Sequence, residues 1–188
     1  MTVHPTDGRR QLCGRRVSPS PVTVHLKTCL PASNPSSRGG PEASFIVFVQ
    51  GRYASDYWMA VRVPADACLD ELDSFLRRIW LECCGHLSAF TISGMRYTFS
   101  PEGIYGDTPR DAPIRQIVLS RKVFRYEYDF GTPTGLNLRV TASLRHGERA
   151  EWIELLARND PPEILCDRCG TRPPLANSPR AGVCGYGG

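Results

Sequence analysis

Residues 69–92 read LDELDSFLRRIWLECCGHLSAFTI, and this stretch decides the fold because its hydrophobic period changes partway along it. Leu69, Leu72, Leu76, Ile79 and Cys83 recur at spacings of three and four, with Phe75 and Trp80 beside them, which is one face of an amphipathic helix. Asp66 or Cys68 starts that helix, and Asp70 and Glu71 lie near its positive end. Cys68 and Glu71 have capping-box spacing, although a thiol accepts a hydrogen bond less well than a hydroxyl. Gly85 is the natural stop. The expectation is one main helix over about residues 68–84. Beyond it the period drops to two: Phe90 and Ile92 alternate, Ser93-Gly94 turns the chain, and Met95, Tyr97 and Phe99 alternate again, a hairpin signature.

The strand period also holds further from the helix. Upstream, SFIVFVQ (44–50) is rich in strand formers, and DYWMAVRVP (56–64) puts Tyr57, Met59, Val61 and Val63 on one side before Pro64 stops it. Downstream, residues 100–113 read as loop and Ile114 to Leu119 as one short helical turn. VFRYEYDF (123–130) then alternates with Phe124, Tyr126, Tyr128 and Phe130 on one face. Leu136, Leu138, Val140, Ala142 and Leu144 repeat the period, RHGE (145–148) turns, and AEWIELLA (150–157) pairs back. About six strands against one strong helix predict an α+β domain, an antiparallel or mixed sheet with its apolar face under the helix. Short connections favour antiparallel neighbours, and no βαβ repeat supports a doubly wound fold.

The domain is expected over residues 44–160, between a leader (1–43) and a tail (161–188). Pro, Gly and Ser interrupt every apolar run of the leader, as in RRVSPSPVTV, so it reads as disordered apart from a short strand at residues 22–26. It is also basic: residues 1–40 hold six Lys or Arg against one acidic residue, a balance of +5 in a chain whose net charge is +4. Such a leader is either a solvated tail or a segment that touches nucleic acid or an anionic surface. No stretch approaches 18 apolar residues and no apolar signal core lies near the start, so neither a membrane span nor secretion is expected. Eight cysteines without a secretory signal read as reduced thiols in the cytoplasm.

Chemistry-bearing residues are sparse. Cys166-x2-Cys169-Gly170 has metal-type spacing and Cys184 is a third candidate, so the tail either holds zinc or carries a vestigial motif without a cofactor. Cys83-Cys84-Gly85-His86 is a nucleophile or ligand pair on one reading. On the other, Cys83 fills the core and His86 serves the helix end, where the dipole disfavours a thiolate. Glu127 and Asp129 lie on the same side of a strand. With His86 they form a candidate catalytic set, against the plainer alternative of a solvated face on which Asp129 satisfies the following turn. Phe124, Tyr126, Tyr128 and Phe130 are either a stacking platform for single-stranded nucleic acid or core. Their period of two and the few basic residues beside them favour core.

Several strings, LDELDSFLRRIWLECCGHLSAFTI, YEYDFGT, IELLARNDPP, CDRCG and NSPRAGVCGYGG, resemble in order the plasmid ORF-3-like family first named from the Ri plasmid pRiA4b. The resemblance spans about residues 56–188 and implies an α+β fold, an association with plasmids or mobile elements, and no assigned activity. Relatives carry a longer cysteine-rich insert between the CxxCG and NSPR strings, with further Cys pairs and a His. Here Gly170 runs almost straight into Leu175-Ala-Asn-Ser-Pro, so that ligand set is shortened. Relatives also have Thr where this chain has Cys68. The leading functional expectation is a non-enzymatic module that binds an unidentified protein or nucleic acid. An uncharacterised metal- or carboxylate-dependent enzyme and a degenerate family member without the metal function are the alternatives.

Overall fold

In the computed structural model, the described residues are 44–80, 85–99, 113–118, 123–131, 133–144 and 152–160, with short pieces at 8–10, 14, 16–18 and 26. The elements run β1 (Gly8–Arg10), β2 (Arg16–Val17), β3 (Ser44–Gly51), β4 (Trp58–Pro64), α1 (Leu69–Trp80), β5 (Ser88–Ile92), β6 (Met95–Phe99), α2 (Ile114–Val118), β7 (Val123–Tyr128), β8 (Thr134–Leu144) and β9 (Glu154–Asn159). The class is α+β with one main helix, as expected. The helix is described as far as Trp80; residues 81–84, with Cys83 and Cys84, lie outside the described residues.

The sheet is larger than expected, nine strands rather than about six, in the order β2-β1-β9-β4-β3-β8-β7-β5-β6. Every pairing is antiparallel. Two of the additional strands come from the leader. Gly8 to Arg10 pair with Asn159 to Ala157, and Arg9 and Arg16 both reach the Asp160 carboxylate. Of the short strand anticipated at residues 22–26, the described residue is Leu26, which is helical and fully buried. The segment after β8 also does not fold back on it. Both edges of β8 are already taken, by β3 over eight rows and by β7 over six, so β9 crosses to the free edge of β4.

The two faces of the sheet differ. One carries the main core: Leu69, Leu72, Phe75 and Leu76 of α1 pack on the inward-pointing residues of β3 to β8, among them Val47, Val61, Phe90, Tyr126 and Leu138. The helical period of α1 and the period of two in the strands meet there, each burying its apolar side. The other face is divided. Over β9, β4 and β3 it is apolar, with Ile46, Phe48, Trp58, Leu156 and Leu26 buried together. Over β8, β7, β5 and β6 it is polar and open to solvent, and Arg139 marks the boundary, its guanidinium 5.7 Å from the Phe48 ring centroid.

Candidate functional site

Alternation along β5 to β8 sends Phe90, Ile92, Phe99, Phe124, Tyr126, Leu136 and Leu138 inward, so the intervening residues line the open face. Arg96 lies opposite Thr91, Thr91 opposite Arg125, and Arg125 opposite Asn137, forming one row across four strands. Arg96 and Arg125 therefore stand roughly 10 Å apart, two strand spacings. Arg139 follows two residues beyond Asn137 on β8. Arg96, Arg125 and Arg139 are all exposed, and among the described residues neither Arg125 nor Arg139 has a carboxylate partner. Glu127 is the one acidic residue in these four strands.

A fourth arginine comes from the turn after β3. The Arg52 N–H donates to the Gly135 carbonyl at 2.8 Å, laying Arg52 and Tyr53 across β8. Gly135 permits this approach: a Cβ there would meet the Arg52 side chain at 3.3 Å and the Tyr53 ring at 3.4 Å. Two aromatic rings border the face. Tyr53 is 75 % exposed with the Arg52 guanidinium 5.2 Å from its centroid, and Phe130 is 40 % exposed with that of Arg96 at 4.4 Å. The Glu127 carboxylate lies between these pairs, one oxygen 3.5 Å from Arg52 Nη1 and the other 3.5 Å from Arg96 Nη1.

This geometry redistributes the residues singled out in the sequence. Phe124, Tyr126 and Tyr128 are core, as their period suggested, while Phe130 is partly exposed on the open side. Glu127 is held by two arginines. Asp129 has φ 59°, and its Oδ1 accepts the Gly131 N–H at 3.1 Å, the turn-satisfying role. Its own N–H donates to the Leu87 carbonyl, which places Asp129 beside His86 at one end of the sheet. His86 is exposed, packs edge-on against the Tyr128 ring at 5.9 Å, and its carbonyl accepts from Arg77. Cys166, Cys169 and Cys184 lie outside the described residues. Among the described residues no group of three or more His, Cys, Asp or Glu could hold a metal ion.

Two further features were not anticipated. Asp73 of α1 is 5 % exposed, inside the main core. It accepts from Ser88 (2.5 Å), from the Tyr126 hydroxyl (2.7 Å) and from Arg77 Nε (2.7 Å). Arg77 also donates to Ser88 and lies 4.9 Å from the Tyr128 ring centroid. Burial, and secondarily the Asp73 charge, push the Tyr126 phenol well above its ordinary range. The cluster is closed by its own hydrogen bonds and ties the helix to β5 and β7. The other feature is a groove of about 600 Å³ beside α1, lined by Pro64, Asp70, Glu71, Phe75, Arg78 and the exposed Trp152 among others. Two of its carboxylates, Asp70 and Glu71, belong to the first turn of α1, where they face the helix dipole, while Asp66 precedes the helix; Glu71 accepts the Cys68 N–H at 2.7 Å. None of His86, Glu127 and Asp129 lines it.

Among the described residues no helix is long and apolar enough to cross a membrane. No protein-family model matches the chain, and no curated protein is similar to it. It is similar in structure to a crystallised protein of unknown function from Methanosarcina mazei Go1, with 20 % identity and a TM-score of 0.52 over 62 % of this chain and 69 % of that one. That likeness is one of fold; the chain is a small globular α+β domain built on an antiparallel sheet.

Proposed function

We propose that the open face of β5 to β8 is a binding surface for single-stranded nucleic acid, which makes this chain a non-enzymatic interaction module. One observation carries the reading: four arginines share a solvent-facing surface whose strands hold a single carboxylate, with exposed rings at two of its borders. Guanidinium groups neutralise backbone phosphates, and exposed rings stack on unpaired bases without regard to sequence. The exposed positions of α1 are Glu71, Ser74 and Arg78, a face with no excess of positive charge, and α2 is only five residues long, so neither described helix resembles a recognition helix. The enzymatic alternative has less support, because Glu127 is engaged by two arginines and Asp129 by its own turn. Kinship with the plasmid ORF-3-like family is also a proposal. It rests on the strings quoted above, and an association with mobile elements would suit a nucleic-acid-binding module.

The test is fluorescence anisotropy of a labelled oligothymidylate titrated with the full chain, repeated at several salt concentrations. Arg125→Ala and Arg139→Ala are each expected to weaken binding and to reduce the slope of log K against log salt by about 0.7, one phosphate contact each. Tight binding that neither substitution affects would sink the reading. Equal competition by a poly-glutamate peptide would replace the nucleic acid with an acidic protein partner.

A further inference from the structure

Glu127 does not sit on this face as an ordinary ion-pair partner. Its two oxygens point to different arginines, each at 3.5 Å, whereas a charge-assisted hydrogen bond to a carboxylate closes to roughly 2.7–2.9 Å. Each of those arginines also lies over an exposed ring, Arg52 over Tyr53 and Arg96 over Phe130. The order across the surface is ring, guanidinium, carboxylate, guanidinium, ring. Both pairings are partly exposed, with side-chain exposures of 32 % for Arg52, 48 % for Arg96 and 29 % for Glu127. Exposed pairs of this kind contribute little, and long ones less.

Two guanidinium groups converging on one small anion, each with an aromatic ring beside it, also describe a site for a dinucleotide step. The phosphodiester presents two oxygens from one centre, as the carboxylate does, and the flanking bases have flat faces for the two rings. We propose that Glu127 holds, in the free protein, the place that a backbone phosphate takes between Arg52 and Arg96, so that its carboxylate masks the central anion subsite and must swing aside on binding. This rests on the sheet face being the nucleic-acid surface. It deepens that reading by naming the subsite and the residue that limits its affinity. Glu127 is on a strand with its side chain on the solvent side, so a change of rotamer clears the subsite without moving the backbone.

The experiment compares the wild-type chain, Glu127→Gln, and Glu127→Gln combined with Arg52→Ala and Arg96→Ala, using the same labelled oligothymidylate over a range of salt. Glu127→Gln keeps the shape and removes the charge. It is expected to tighten binding roughly 2- to 30-fold, the scale of two exposed ion pairs released. The log–log salt slope should stay within about 0.7, one phosphate contact, of the wild-type value, because the same contacts form once the carboxylate has swung aside. The triple variant should lose the gain, and circular dichroism melts establish that each variant is folded. If Glu127→Gln weakens binding or leaves it unchanged while Arg125→Ala still weakens it, the carboxylate orients the arginines instead. The masking proposal then fails and the surface stands. If oligothymidylate binding responds to none of these substitutions, the surface reading fails and the subsite fails with it.

Discussion

Asp73 illustrates what a sequence hides at the scale of one residue. Asp73 and Arg77 are four apart on a helix, the spacing of a solvated pair that contributes a few tenths of a kcal/mol. The fold instead places Asp73 in the core, where it is acceptable only because Ser88, Tyr126 and Arg77 all donate to it. Two of those donors are 15 and 53 residues away in sequence, so no local pattern announces the cluster. Tyr126→Phe is expected to cost about 1.5–3 kcal/mol at neutral pH, the value of a hydrogen bond to a charged group. The pH dependence has a definite sign. The folded phenol titrates above its ordinary value, chiefly through burial, so the unfolded chain loses this proton first as pH rises. Stability from Tyr126 is therefore fully present below pH of about 10 and falls above it, by up to ~1.4 kcal/mol per pH unit for one proton. Urea titrations of wild type and Tyr126→Phe between pH 8 and 11 check this: the difference between the two curves should shrink as pH rises.

At the scale of elements, legibility followed period. The face Leu69-Leu72-Leu76 identified α1, and the alternations of β5 to β8 identified the strands and their inward residues, because burial on one side imposes a period that a single sequence displays. Connectivity between strands was less legible. β9 was expected on its sequence neighbour and pairs with β4 instead, a choice set by which edges are free, which no local signal encodes. The start of α1 was read correctly in half: Glu71 accepts the Cys68 N–H at 2.7 Å, and the Cys68 carbonyl accepts the Leu72 N–H at 3.3 Å. The reciprocal half of a capping box needs a good side-chain acceptor at residue 68. Burial, the largest influence, holds the Cys68 thiol above its ordinary pKa despite opposing backbone N–H donors, so at neutral pH it remains the poorer thiol acceptor. Cys68→Thr is expected to raise stability by about 1 kcal/mol, measured as an increase in the urea midpoint without a change in slope.

Across the whole molecule, totals concealed the arrangement. Because the leader carries most of the net charge, the rest of the chain reads as nearly neutral. The fold gathers Arg52, Arg96, Arg125 and Arg139 on an open sheet face whose strands hold one carboxylate, Glu127, while the helix across the sheet balances Asp70, Glu71 and Asp73 against Arg77 and Arg78. A reading of the outward positions of the same strands whose inward positions defined the core would have found three of the arginines, Arg96, Arg125 and Arg139, but not Arg52 of the turn. Short pieces of the leader join the sheet: their runs are too short to bury a surface alone, but they need not do so when an existing sheet offers an edge. Gly8 lies so close to β9 that a Cβ there would collide with the backbone of Arg158 and Asn159, and Leu26 is fully buried against the Trp58 and Leu156 side of the sheet. If these contacts hold the protein together, Leu26→Ala should behave as a core truncation and cost about 2–5 kcal/mol, the range for a buried leucine. A chain whose leader is a detached solvated tail would unfold at the wild-type urea concentration with the same substitution. Chemical denaturation of the two proteins side by side therefore decides whether the apolar half of the second face is sealed by the chain's own first residues.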